Sequence, residues 1–165
     1  MAHPHPIRAS IVLCDRLYNR SGSIRTKKHA CKTAILELCG WVETETDIIL
    51  SNHATRRLSE PAEKNGFEEK LRRNSGFEYR KHLKNLLVDI EGRVGFLEIE
   101  AAMDQVKRQG LEGALSSLKP LRNDAAHTHL QAAQEQYWAP SITIRTFDTI
   151  EAGLRELDAR LAERL

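Results

Sequence analysis

IRTKKHACKTAILELCGWVETETDIILSNHATRRL, residues 24–58, decides the fold. Ala30, Ala34, Ile35, Leu38, Trp41, Val42, Ile48 and Ile49 recur at helical spacing, and Glu45 is the one polar lapse in the stripe. The spacing predicts one long amphipathic helix. Gly40 is its soft spot, costing about 1 kcal/mol against alanine, and reads as a bend or a close helix crossing. Glu60-Pro61 ends the element.

Working outward, Ile7, Ile11, Leu13, Leu17 and Tyr18 give residues 7–19 an apolar helical face, and Ser21-Gly22-Ser23 breaks it. Asn65-Gly66 is a turn signal, and the charged run 68–73 reads as a short helix or a loop. Gly76 precedes a helix over 77–94, with Phe77, Leu83, Leu86, Leu87 and Ile90 inward and Gly92 and Gly95 at its end. Short helices are expected over 97–106, closed by Gln109-Gly110, and over 111–118. Pro120 biases its predecessor out of the α region, so a break is expected there. A new helix should then start at Asn123 or Asp124, both good N-caps, and run to Gln136. After a loop at 138–141, Ile142, Phe147, Ile150, Leu154, Leu157 and Leu161 define a last helix, with Arg155, Asp158, Arg160 and Glu163 outside. Ile142-Thr143-Ile144 is the only β-looking fragment. The chain reads as all-α: an up-and-down helical bundle with one long antiparallel helix pair and additional shorter helices. It is expected to be a single domain over 1–165, with 1–6 as a flexible arm.

Composition agrees. Of 165 residues, 41% are hydrophobic and only 5% aromatic, a mix that packs helix on helix more readily than it builds sheets. The net charge of +2, from 25 basic and 23 acidic residues, permits nucleic-acid binding through a local patch without arguing for it. Three cysteines, Cys14, Cys31 and Cys39, form no disulfide framework and no zinc spacing, which fits a reducing cytoplasm. No run has the apolar length of a membrane span, and the start lacks the pattern of a signal peptide. A cytoplasmic protein without membrane contact is expected.

Chemistry concentrates between Lys119 and His129, where Lys119, Arg122, Asn123, Asp124, His127 and His129 gather. Arginine offers a planar donor fork suited to phosphate, and histidine exchanges a proton near neutral pH. Cleavage of RNA by its own 2′-hydroxyl needs those two functions and no metal. No carboxylate cluster suggests a metal, and no cofactor is expected. Asn123 and His127, four apart, share a helix face. Arg122 and His127, five apart, are about 140° apart on an ideal helix. They converge only if the Pro120 break leaves Arg122 at a helix start, where free N–H groups would also favour a phosphate.

Leu121-Arg122-Asn123-Asp124-Ala125-Ala126-His127 resembles the signature of HEPN domains: an Arg, four to six residues, then a His, with Asn commonly after the Arg. The layout of helices is similar to the branch called RiboL-PSP-HEPN. The resemblance implies a homodimer whose two motifs form one RNA cleft, in which Arg122 binds and polarises the phosphate and His127 transfers a proton. Asn123 then orients His127 or touches the phosphate. Lys119, Asp124 and His129 are added as neighbours of the RNA backbone. Also implied are an endoribonuclease acting as toxin or defence effector, and an antitoxin or regulatory partner. The alternative is a non-catalytic HEPN-like module that binds nucleotide, RNA or protein; a third reading is a purely structural helical adaptor, with Arg122 and His127 in a helix-start salt-bridge network with Asp124. Lys27-Lys28, Arg56-Arg57 and Arg72-Arg73 could line an RNA groove but read more simply as solvated helix positions. His29, His53 and His82 read as structural or exposed.

Overall fold

Residues 24–57 form one helix, α2 (Ile24–Arg57), 34 residues long. The computed structural model describes residues 6–74, 76–127 and 137–164. The other helices are α1 (Pro6–Arg20), α3 (Pro61–Arg73), α4 (Lys84–Ala102), α5 (Gln105–His127) and α6 (Pro140–Ala162), with a π-helical turn at Tyr79–Leu83. No strand occurs among the described residues. The chain is an all-α helical bundle.

The residues sort into two compact units, the first Met1–Trp41 with Ser117–Asp148 and the second Val42–Ser116 with Thr149–Leu165. In the first unit α1 runs antiparallel to the start of α2. Ser10 Oγ donates to Glu37 at 3.4 Å near one end, and Lys27 Nζ sits 5.4 Å above the Tyr18 ring near the other. Ser21-Gly22-Ser23 makes the turn: Ser21 Oγ accepts from the Ser23 N–H, and Ser23 Oγ caps α2 by accepting from the Thr26 N–H. Ile11, Ala34, Ile35, Leu38 and Phe147 are fully buried here, and Trp41 meets the Phe147 ring at 4.7 Å. Apolar burial of this kind contributes about 1.5–3 kcal/mol per large side chain.

In the second unit α5 and α6 are antiparallel, because Lys107 pairs with Glu156 while Gly110 faces Thr149. Gly153 marks their close approach: a Cβ there would lie 2.6 Å from Leu111 Cβ and 3.1 Å from the Lys107 carbonyl. Inside α4, Gly92 takes φ 71°, a conformation open to glycine and costly for other residues. It kinks α4 rather than ending it.

Several sequence boundaries need correction. Asn65-Gly66 lies inside α3, which Pro61 starts at a favoured first-turn position. Residues 97–102 belong to α4, and Gln109-Gly110 lies inside α5. Ile142-Thr143-Ile144 is helical in α6. Above all, Pro120 does not break the chain: α5 runs through it to His127. Proline removes the bond to the carbonyl four residues back and crowds that carbonyl with its ring, a cost of about 3 kcal/mol that packing of the flanking turns must offset. Ser116 and Pro120 both face solvent, so water can satisfy that carbonyl, while buried Leu118 and Ala125 hold the helix on either side. The helix start expected at Asn123 or Asp124 is therefore absent. The arm at 1–5 and the stretch 128–136, including His129, lie outside the described residues; Pro6 begins α1.

Candidate functional site

The last two turns of α5 carry the motif. Arg122 follows buried Leu118 by four residues and precedes buried Ala125 by three, so it stems from the inward stripe and is half-buried. Its Nη1 reaches Asn123 Oδ1 at 3.5 Å. His127 comes two residues after Ala125, about 200° further around the helix, and is exposed. Lys119, Asn123 and His127 follow one another at four-residue spacing and form one ridge, half-buried at Lys119 and exposed beyond it. The half-buried Asp124 offers its carbonyl to the Tyr137 hydroxyl at 3.4 Å, which ties Tyr137 to the end of α5.

A continuous helix thus keeps Arg122 and His127 on different sides of one chain. Asn123 shares a helix face with His127, and the Arg122 guanidinium reaches that face at Asn123 Oδ1.

Charge sets this region off. The first unit has ten basic and five acidic residues, a net +5; the second has fifteen and eighteen, a net −3. The near-neutral total conceals a basic unit that carries the motif.

Sequence reasoning missed a buried ion cluster in the second unit. Glu91, immediately before the Gly92 kink, has a side chain 0% exposed and receives three donors. They are His53 Nε2 at 2.8 Å, Arg57 Nε at 2.9 Å and Arg164 Nε at 3.2 Å. Arg164 Nη1 also reaches Glu98 at 3.0 Å. Burial pushes the Glu91 carboxyl up, but the His53 hydrogen bond and the Arg57 and Arg164 charges together outweigh it and hold it below its ordinary value. A second carboxylate, Glu156, is drawn down to about 2 by hydrogen bonds from Lys107, Arg160 and the Asp104 N–H. His53 and Arg57 of α2 and Arg164 meet Glu91 of α4, and Lys107 of α5 meets Glu156 of α6, which makes these clusters structural ties between segments, while Arg160 supports Glu156 from the same helix. Isolated residues such as His53 gave no sign of this, because the partners lie far along the chain.

Between α2 and α3 a groove of about 700 Å³ is lined by Asp47, Ser51 and Asn52 on one side and Glu68 and Arg72 on the other. Burial, then Glu43 and Glu68, raises the Asp47 carboxyl above its usual value. Among the described residues no group of three or more His, Cys, Asp or Glu side chains is arranged to hold a metal ion. No described helix is long and apolar enough to cross a membrane. Compared with known proteins, the chain matches no family model, no curated protein and no solved structure.

Proposed function

We propose that the chain is a metal-independent endoribonuclease of HEPN type that acts as a homodimer. The observation that carries this reading is the place of the Arg122–His127 segment: the end of a helix in the unit with a net charge of +5. A polyanion is drawn to that unit and repelled by the other. Exposed His127 and Asn123 stand ready for a ligand on one face.

In this mechanism the RNA 2′-hydroxyl attacks the adjacent phosphorus. The P–O5′ bond breaks, leaving a 2′,3′-cyclic phosphate and a 5′-hydroxyl. His127 carries a proton, either from the attacking 2′-oxygen or to the departing 5′-oxygen. Arg122 stabilises the charge on the phosphate. Asn123 orients His127 or the phosphate, and Lys119, Asp124 and His129 flank the backbone. Because α5 is continuous, the two functions come from two copies across a two-fold axis. Such an enzyme suits a toxin or defence effector held in check by an antitoxin.

The angular separation of Arg122 and His127 also favours a second reading, a non-catalytic module that binds RNA, nucleotide or protein. One experiment separates them. Wild type and His127→Ala are incubated with mixed RNA in EDTA. Cleavage by wild type alone, with cyclic phosphate ends, is expected. Equal inactivity of both as well-folded dimers would overturn the enzyme in favour of the binding module.

A further inference from the structure

We propose that Arg16, Arg20 and Arg25, at the α1–α2 turn, form a sequence-independent track for the phosphates of single-stranded RNA, apart from the Arg122–His127 motif. The choice of RNA as the ligand rests on the ribonuclease reading.

The placement comes from helix geometry. Arg16 and Arg20 are one turn apart on α1, and Arg25 is the second residue of α2, across the Ser21-Gly22-Ser23 turn. All three are exposed. Among the described residues none of their side chains makes an ion pair, a hydrogen bond or a ring contact. This sets them apart in their unit. Arg8 is tied to Asp148 and Lys27 lies over Tyr18. Arginine is also the residue type that grips a phosphate with two parallel donors.

The paired cations elsewhere sharpen the contrast. In the second unit, among the described residues, nine of the fifteen basic side chains pair with carboxylates, among them Arg57, Lys70, Arg80, Lys107, Arg160 and Arg164. Binding a phosphate there would first mean giving up a carboxylate. At the α1–α2 turn nothing has to be given up.

Leu13, Leu17 and Ile24 lie exposed among these arginines. They would suit an acidic protein helix, so the test includes that outcome. RNA is favoured because the three arginines lack any acidic partner and share their unit with the motif.

The test is made in the His127→Ala background, so binding is read without cleavage. Affinity for a fluorescent single-stranded RNA of about 20 nucleotides is measured across a salt series. Neutralising three phosphate contacts should make the slope of log affinity against log salt shallower by about 2. Over a sixfold fall in salt the parent should then gain roughly 40-fold more affinity than R16A/R20A/R25A. A control, R56A/R72A/R93A, loses the same charge from exposed arginines of the second unit and should keep the parental slope. Circular dichroism checks that both triple variants are folded. An unchanged slope in the first variant, an equal change in the control, or no RNA binding by the parent would each overturn the proposal. So would tighter, patch-dependent binding of an acidic helical peptide than of RNA. Patch-dependent RNA binding by a chain whose wild type cuts nothing would retain the track and sink the nuclease. Cleavage by wild type with binding indifferent to the patch would do the reverse.

Discussion

Mixing two inactive variants tests the reading of the site most directly. Arg122 and His127 are five residues apart in unbroken α5, about 140° around it and about 7.5 Å along it. If the enzyme joins Arg122 of one copy to His127 of the other, Arg122→Ala and His127→Ala homodimers are both dead. The mixed dimer differs: one of its sites pairs an intact Arg122 with an intact His127, and the other has lost both. Random re-association makes half of the dimers mixed, and each carries one site of two. The mixture should then recover roughly a quarter of wild-type activity, given an isologous two-fold interface. The assay is the release of cyclic-phosphate ends from RNA in EDTA, after joint unfolding and refolding of equal amounts. No recovery, with mixed dimers verified by mass, would refute the trans arrangement and require both groups to act within one chain despite a separation of about 140° around the helix. Full helix content in Arg122→Ala is part of the same expectation, since its half-buried stem leaves Leu118 and Ala125 in place.

Other expectations follow from the ties within the second unit. Glu91→Gln should cost about 2–3 kcal/mol at pH 7: the hydrogen bond from His53, 3% exposed, dominates, while the pairs to Arg57 and Arg164, 47% and 27% exposed, are discounted for screening. Because the folded-state carboxyl lies below its unfolded value, that advantage is complete above the unfolded pKa and fades as pH falls through the folded one; urea titrations at pH 7, 5 and 3 should show the two proteins converging. Glu156→Gln should behave alike, its difference from wild type persisting below pH 4.5 and closing near 2. Gly153→Ala should destabilise by about 1–2 kcal/mol, since overpacking against Leu111 exceeds the helix-propensity gain, whereas Gly40→Ala, with open space around its Cβ, should stabilise by about 0.5–1 kcal/mol in thermal melts. Burial, then Glu37, raises the Cys14 thiol, and burial raises Cys31, so both should react with iodoacetamide at pH 8 far more slowly in the native chain than in urea.

The bundle was legible where apolar period and burial coincide. Leu83, Leu86, Leu87 and Ile90 were all read as inward and are buried, as are Phe147, Ile150, Leu154, Leu157 and Leu161. The reading failed where a residue type argued against its position. Leu13 and Leu17 are apolar but face solvent, because Ile11 and Cys14 set the inward face of α1. Along α2 the buried face passes through Thr46 and His53, and Ile48, though apolar, is exposed. Polarity cannot reveal such positions when a partner distant in sequence, as Glu91 is for His53, satisfies the polar atom. Pro120 and Asn65-Gly66 misled in another way. Local signals for a break are worth a few kcal/mol at most, and the packing of flanking turns overrides them. At the site, the motif residues were legible by type and spacing, but their directions were not, because these follow from whether the helix continues.

The charges also explain why binding should be sought in the first unit. A cation can hold a phosphate only at the cost of what it already holds. Moving Arg164 or Arg57 to a ligand would weaken the compensation of a carboxylate that is 0% exposed, and an uncompensated buried charge costs several kcal/mol. Each charge-assisted bond gained returns about 1.5–3 kcal/mol, so the exchange yields little. Arg16, Arg20 and Arg25 give up only side-chain freedom, about 2 kcal/mol each at most, and part of that is spared by the planar guanidinium. The net charge of +2 hides this difference because it sums cations that are occupied with cations that are not. For polyanion binding the relevant quantity is the number of cations no carboxylate already claims, and a chain total cannot report it.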